Sequence, residues 1–387
     1  MSQRHYYFLF TAIVAFLACV YYYYSVKEER YAPLNSQDTI AVSIASYRDE
    51  ECSNTVKTLI EKATHPNSLH FYILQQNSAA KDGEDCFPPA FCEKWGHLIT
   101  NITISNCEAS GPSTARELLC RRYLESAPEK YFLQIDSHML PINEGWDVAV
   151  VQEFERIAKA ENTRRFVIST YPNSSENIGT GLPVICKATL DKNGVPNFKA
   201  IIMKDLKQHK RVYFTAGGFF FATRDVVNTV PLKGYDALFQ GEELLTSLRL
   251  YAHDIAVFAP SIEVFVHHYG RHQSPKVWKD IPSFMSRQKE TLAFLKKVLL
   301  LDGEEGGCSQ LIKEERRNLG LSERIIRNFY RESGIDKVIH SVFDSRHFGT
   351  PYSHRRRVSS SSPSTKKNSA YQLDGRMAAA FNFWTYI

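Results

Sequence analysis

The sequence predicts an α/β fold, a mainly parallel sheet with helices on both faces. Three observations lead there. From residue 40 onward, short apolar runs alternate with helical patterns, the signature of strands joined by crossover helices. The run Tyr131-Phe-Leu-Gln-Ile135 passes directly into Asp136-Ser-His138. In an extended chain those two polar residues, two apart, face the same side, at the strand end where open α/β sheets bind ligands. Finally, 387 residues with 43% apolar and 23% charged side chains can bury a large core, in one domain or two.

Ile40 to Ala45 reads as the first buried strand, and Cys52 to Thr64 as a helix stopped by His65-Pro66. Leu69 to Leu74 is the second strand, followed by a loop from Asn77 to about Gly96. Ile99 to Ile104 is the third. Gly111-Pro-Ser-Thr114 then opens an amphipathic helix over Ala115 to Leu124, with Thr114 and Glu117 at capping-box spacing. Tyr131 to Ile135 is a strand, Trp146 to Ala158 a helix, and Arg165 to Thr170 a strand. Tyr171 to Pro196 reads as loop. Val212 to Ala222 reads as one strand with a tight feature at Gly217-Gly218. Gly241 to Ala252 is a helix, Ile255 to Phe258 and Ile262 to Val266 are strands, and Phe284 to Leu301 and Leu321 to Arg331 are helices. No internal repeat is present.

The termini differ from this middle. Residues 6–26 carry no formal charge and are long enough to span a bilayer as a helix. Tyrosines sit at both ends, Arg4 precedes the segment, and the charges of Lys27, Glu28, Glu29 and Arg30 cancel. The positive-inside rule then places residues 1–5 in the cytoplasm and the body in a lumen. The tyrosine run argues against a cleaved signal peptide. The expected organisation is a cytoplasmic tail (1–5), a transmembrane anchor (6–26), a stem (27–38), a catalytic domain (39–345) and a disordered, basic, Ser-rich tail (351–387). The sequons Asn101-Ile-Thr103 and Asn173-Ser-Ser175, and cysteines Cys52, Cys86, Cys92, Cys107, Cys120, Cys186 and Cys308 beyond Cys19, suit an oxidising secretory compartment with some disulfides. Their pairing is open, and no cysteine pair has zinc-site spacing. The net charge of +5 owes much to Arg355, Arg356, Arg357, Lys366 and Lys367. No basic stripe stands out within the fold, so no nucleic-acid partner is expected.

The chemistry is narrowed by what is missing. There is no dinucleotide fingerprint, no phosphate-binding loop and no nucleophile elbow, which disfavours nicotinamide dehydrogenases, P-loop enzymes and α/β-hydrolases. The carboxylate and imidazole of Asp136 and His138 suit Mn²⁺, Mg²⁺ or Zn²⁺. Val264-Phe-Val-His267-His268-Tyr-Gly-Arg271 ends a second strand with two adjacent histidines. These point to opposite faces, so only one can join Asp136 and His138. A metal site in a membrane-anchored α/β domain suits transfer from a nucleotide sugar, where the ion neutralises a leaving pyrophosphate.

Several blocks, in order over roughly residues 39 to 340, resemble the polypeptide N-acetylglucosaminyltransferase family, which includes the Skp1-hydroxyproline and mucin-type threonine enzymes. They are Ser46-Tyr-Arg-Asp49, Gly111-Pro-Ser-Thr-Ala-Arg116, Leu133-Gln-Ile-Asp-Ser-His138 with Gly145-Trp-Asp147, Ala216-Gly-Gly-Phe-Phe-Phe-Ala222, Phe239-Gln-Gly-Glu-Glu243 with Arg249, His267-His-Tyr-Gly-Arg271, and Arg331-Glu-Ser-Gly-Ile-Asp336. The Asp-Ser-His, Gly-Trp and Gly-Glu-Glu blocks also resemble the more distant polypeptide GalNAc-transferases. Both groups imply a glycosyltransferase-A fold and retention at the anomeric carbon.

The resemblance implies a role for each matching residue. Asp136 and His138, with His267 or His268, hold Mn²⁺ (or Mg²⁺). Ser46, Tyr47, Arg48 and Asp49 line a uridine pocket, and Arg116 approaches the nucleotide. Gly217 and Gly218 let backbone approach the donor sugar. Glu242 and Glu243 stand beside that sugar in a catalytic role, Arg271 touches the pyrophosphate, and Trp146 packs. The implied activity moves GlcNAc from UDP-GlcNAc to a Ser, Thr or hydroxyproline hydroxyl of a polypeptide, in the Golgi or ER lumen. The alternatives are UDP-GalNAc or another UDP-sugar as donor, a cytoplasmic enzyme, and an inactive sugar-binding protein. Met139-Leu-Pro-Ile-Asn143 departs from the family pattern.

Overall fold

The computed structural model describes residues 38–78, 83–87, 89–126, 128–204, 206–302 and 309–339. The expected anchor, most of the stem, the Ser-rich tail, Cys19 and Cys308 lie outside them. Among the described residues no helix is long and apolar enough to cross a membrane.

The order begins β1 (Ile40–Tyr47), α1 (Cys52–Glu61), β2 (Leu69–Asn77), α2 (Pro89–Trp95), β3 (Ile99–Ser105), α3 (Pro112–Ser126), β4 (Tyr131–Asp136), β5 (Met139–Pro141), α4 (Trp146–Glu161) and β6 (Phe166–Ser169). It continues with β7 (Leu182–Leu190), β8 (Pro196–Met203), β9 (Lys210–Val212), β10 (Phe219–Thr223), α5 (Arg224–Thr229), α6 (Glu242–Ala252), β11 (Ala256–Ala259) and β12 (Phe265–His267). Helices α7 (Val277–Asp280), α8 (Phe284–Val298), α9 (Gln310–Asn318) and α10 (Glu323–Ser333) close it. The main sheet runs β3-β2-β1-β4-β10-β6-β11-β9. Its first four strands are mutually parallel, β10 lies antiparallel to β4 and β6, and β9 antiparallel to β11. The expected mainly parallel α/β sheet is therefore present.

Helical spacing explains how the layers close. On α1 the buried residues Cys52, Thr55, Val56, Leu59 and Ile60 make one stripe. It packs with Val150, Phe154 and Ile157 of α4 against one sheet face at Val42, Ile44, Leu133 and Ile135. The alternate residues Ala41 and Phe132 face the other way and meet Ala115, Leu119 and Tyr123 of α3 and Val226 of α5. Helices thus cover both faces. Phe154 and Phe166 stack at 4.3 Å within the first layer. A third cluster joins Ile185 and Phe198 of the β7–β8 hairpin to α6, α8, α9 and α10.

Several local expectations are corrected. The stretch from Asn77 to Gly96 contains α2, and the segment read as loop to Pro196 contains β7, which pairs with β8 as a hairpin. The run Val212 to Ala222 divides into β9 and β10, because residues 213–218 turn the chain toward α6. Thr114 caps nothing: the helix already starts at Pro112, and the Thr114 hydroxyl donates to the carbonyls of Ser110 and Tyr235. A capping box does form at Ser105 and Glu108. Cys52 and Cys86 form a disulfide, tying the start of α1 to the loop after β2. Of the two sequons, Asn101 is exposed, whereas Asn173 is 7% exposed and donates its amide to Gly181 and Glu263, which leaves no room for a glycan.

Candidate active site

Parallel register brings the carboxyl ends of β1 and β4 level, with Ala45 opposite Asp136. β10 runs the other way, so its start lands at the same edge, Phe219 opposite Ile135. Gly217 and Gly218 therefore arrive beside Asp136. The short β12 pairs with β5 and sets His267 opposite Met139. Together with the first turn of α6 these segments wall a cavity of about 920 Å³.

At one end of it, ligand atoms of Asp136, His138 and His267 all lie within 4.8 Å of one another. His267 Nε2 stands 3.2 Å from Asp136 Oδ2. Burial pushes the His267 imidazole down to about 4, against the pull of Asp136, so it is neutral near pH 7 with a lone pair to give. Burial would push the Asp136 carboxyl up, yet the His267 hydrogen bond and the Arg116 charge hold it far below the ordinary range. His138 Nδ1 is 2.9 Å from Asp49 Oδ2 and 2.8 Å from Arg271 Nη1. It serves one at a time: protonated, it donates to Asp49, and unprotonated, it accepts from Arg271. With the proton on Nδ1, Nε2 keeps its lone pair. One carboxylate and two imidazole nitrogens fit a borderline divalent cation. His268 is not part of this group. It is exposed and its Nδ1 is 2.8 Å from Glu51, on the opposite face of the strand end, as adjacent residues must be.

A second layer holds this group. Asp49 is 1% exposed and accepts from Ser137, from His138 and, at 2.7 Å, from Arg271. Burial alone would raise the Asp49 carboxyl, but His138 and Arg271 keep it below the usual value. Arg116 bridges two carboxylates, 2.7 Å from Asp136 and 2.8 Å from Glu242. The glycine pair makes this possible. A Cβ on Gly217 would stand 2.5 Å from Arg116 Nη1, and one on Gly218 2.6 Å from Asp136 Oδ2. What the glycines admit is thus these two side chains. Gln134 donates to the Gly217 carbonyl at 2.6 Å and pins the turn.

At the start of α6 the two glutamates differ. Gly241, at φ 91°, swings the chain into the helix. Glu242 is buried against Arg116, and burial raises its carboxyl despite that charge. Glu243 meets neutral donors, the Tyr171 hydroxyl and the Gly217 N–H at 2.8 Å. Burial lifts it to about 7, against the pull of those hydrogen bonds. Both line the cavity.

The expected uridine-pocket block separates. Tyr47 and Asp49 line the cavity with Ala45. Ser46 is fully buried on the other side of β1. Arg48 lies at φ 47°, and its guanidinium reaches Glu84 at 2.9 Å and Asp280 at 2.7 Å. It fastens α7 to β1 and forms no part of the cavity wall. Arg271 is in the wall, but held by Asp49 and Glu51. Trp146 is buried and donates to Leu59, as packing requires. Sequence reasoning missed Tyr171, the donor to Glu243, and Glu51, which lies between His268 and Arg271. Tyr171 was placed in a loop, and Glu51 has only its position two after Asp49 as a signal.

No curated protein matches the sequence. Among solved structures, a mannosyltransferase from Pyrobaculum calidifontis, in complex with GDP-Man and Mn²⁺, is 11% identical, with 88% of this chain and 97% of that one covered and a TM-score of 0.39. A family model described as glycosyltransferase (GlcNAc) matches residues 39–94 and 92–339. That span holds the whole sheet, the Asp136–His138–His267 group and both glutamates, and so the chain belongs to the GlcNAc glycosyltransferase family.

Proposed function

We propose that this glycosyltransferase has the glycosyltransferase-A fold and moves GlcNAc, with retention, from UDP-GlcNAc to a hydroxyl of a polypeptide, that of Ser, Thr or hydroxyproline. The observation that carries the reading is the clustering of Asp136, His138 and His267 in a cavity whose wall also bears Glu242 and Glu243. When bound there, a divalent ion such as Mn²⁺ supplies neutralisation of the leaving pyrophosphate. Asp136 would give the negative charge, and His138 and His267 one imidazole nitrogen each. Asp49 orients His138, and Arg116 keeps Asp136 in place. Tyr47 in the cavity wall would offer a ring to the uracil. No side chain is required as nucleophile: the leaving phosphate oxygen accepts the proton of the acceptor hydroxyl as the new bond forms on the same face.

We place the enzyme in the Golgi or ER membrane through residues 6–26, with the domain in the lumen. The Cys52–Cys86 disulfide and the exposed Asn101 sequon support an oxidising compartment. Loss of an N-glycan on glycosidase treatment, traced to Asn101, is the expected result; an unmodified chain argues for the cytoplasm.

The deciding experiment measures UDP release by the full chain over a panel of UDP-sugars with and without Mn²⁺. UDP-GlcNAc is expected to turn over with metal, and Asp136→Ala to reduce release to background. Turnover with UDP-GalNAc alone would overturn the donor, and an active Asp136→Ala the metal site.

A further inference from the structure

Residues 182–212 hold Lys187, Lys192, Lys199, Lys204, Lys207, Lys210 and Arg211 against Asp191 and Asp205. Seven positive and two negative charges leave +5, equal to the net charge of the entire chain. The fold does contain a basic stripe, and it runs from the β7–β8 hairpin, with Lys187, Lys192 and Lys199, to Lys210 and Arg211 of β9. Asp191 is engaged in the turn, accepting from the N–H groups of Asn193 and Val195.

The placement of these charges is specific. In the hairpin register Lys187 stands directly opposite Lys199, so both project from one face. Like charges directly opposite destabilise a strand pair, and neither lysine makes an ion pair with a described residue. Lys210, on β9, reaches the same side: its Nζ lies 3.9 Å from the Met203 sulfur, and Met203, four residues from Lys199 along β8, projects from the same face. Lys199 is half-buried, and burial lowers its ammonium. A counter-charge from outside would relieve all three.

The opposite face of the hairpin, at Pro183, Ala200 and Ile202, lines the cavity, as do Asp191 and Val195 at its turn. β8 pairs only with β7 among the described strands, so no described strand occupies its outer edge, the side where an extended chain can add. A polypeptide with its hydroxyl in the cavity can run along this edge.

Building on the polypeptide-acceptor reading above, we propose that the Lys187–Lys199–Lys210 face of the hairpin docks an acidic segment of the acceptor polypeptide. Electrostatic attraction of this kind raises encounter rate and selects partners.

The test uses the full chain and a fluorescent peptide of repeated Glu with one Thr, read by anisotropy, beside its Lys counterpart, an RNA oligomer and phosphatidylserine vesicles. The Glu peptide is expected to bind, more weakly as salt rises. Changing Lys187, Lys199 and Lys210 together to Gln should weaken it roughly tenfold, and to Glu abolish it. UDP release without acceptor should stay unchanged in both variants, which shows that they fold. Unchanged peptide binding in the Glu variant, equal binding of the Lys peptide, or preference for RNA or vesicles overturns the proposal. UDP release reports the transferase reading by itself, so either can fail alone.

Discussion

Asp136 and Glu243 occupy the wall of one cavity and both lose hydration there, yet they end in opposite states. Asp136 has Arg116 at 2.7 Å and two imidazoles beside it, and stays ionised far below the ordinary range. Glu243 has a tyrosine hydroxyl, a backbone N–H and the like-charged Glu242 for neighbours, and rises to about 7. Burial is common to both, so the cationic neighbours decide. One part of the wall is a fixed negative charge suited to a cation. The part beside it is a carboxyl near proton balance, able to give or accept a hydrogen bond with a sugar.

Removing Arg116 strikes this contrast hardest. Arg116→Met leaves Asp136 and Glu242 facing each other with no counter-charge. A broken buried ion pair typically costs about 3–5 kcal/mol, so urea midpoints should fall sharply. Arg116→Lys, a point charge without the planar fork, should recover one contact and an intermediate stability. Wild-type stability in the Met variant would mean that Arg116 does not set the state of Asp136.

A smaller effect tests how the cation end is oriented. Asp49→Asn keeps the shape but removes the charge that fixes His138. Such outer partners of metal ligands are worth about 10–100-fold in metal affinity. Titration of Mn²⁺ by paramagnetic resonance should show a loss in that range, independent of turnover. Unaltered affinity would leave His138 oriented by Arg271 alone.

The cation end was also the more legible one in the sequence. Asp136 and His138 follow a buried strand at spacing two, and strand periodicity alone sets them side by side. The choice of His267 over His268 needed register, because it depends on which face β12 turns toward β4 when it pairs with β5. The Glu243 end was less readable. Its partner Tyr171 lies 72 residues away, in a segment without periodicity. The roles of Gly217 and Gly218 appear only as a Cβ that would strike Arg116 or Asp136. Ser46 and Arg48 share a block with Tyr47 and Asp49, but alternation buries Ser46 behind the sheet and a left-handed turn sends Arg48 to Asp280. The β7–β8 hairpin was masked by mixed polarity, since Ile185 and Phe198 pack on one face while the other joins buried Val184 to the charged Lys187 and Lys199.

The subtlest consequence of the contrast is in pH. Glu243 moves from an ordinary 4.5 to about 7 on folding. Between those values the folded chain keeps a proton that the unfolded chain has released, so stability falls as pH rises through the window. Glu243→Gln abolishes the titration. Its melting temperature should therefore decline less than that of the wild type from about pH 4.5 to 7, with the difference constant above. Tyr171→Phe removes a donor that favours the ionised form, so it should carry the decline past pH 7. Parallel profiles for wild type and Glu243→Gln would make Glu243 an ordinary carboxylate, and Asp136 and Glu243 would then differ in geometry alone.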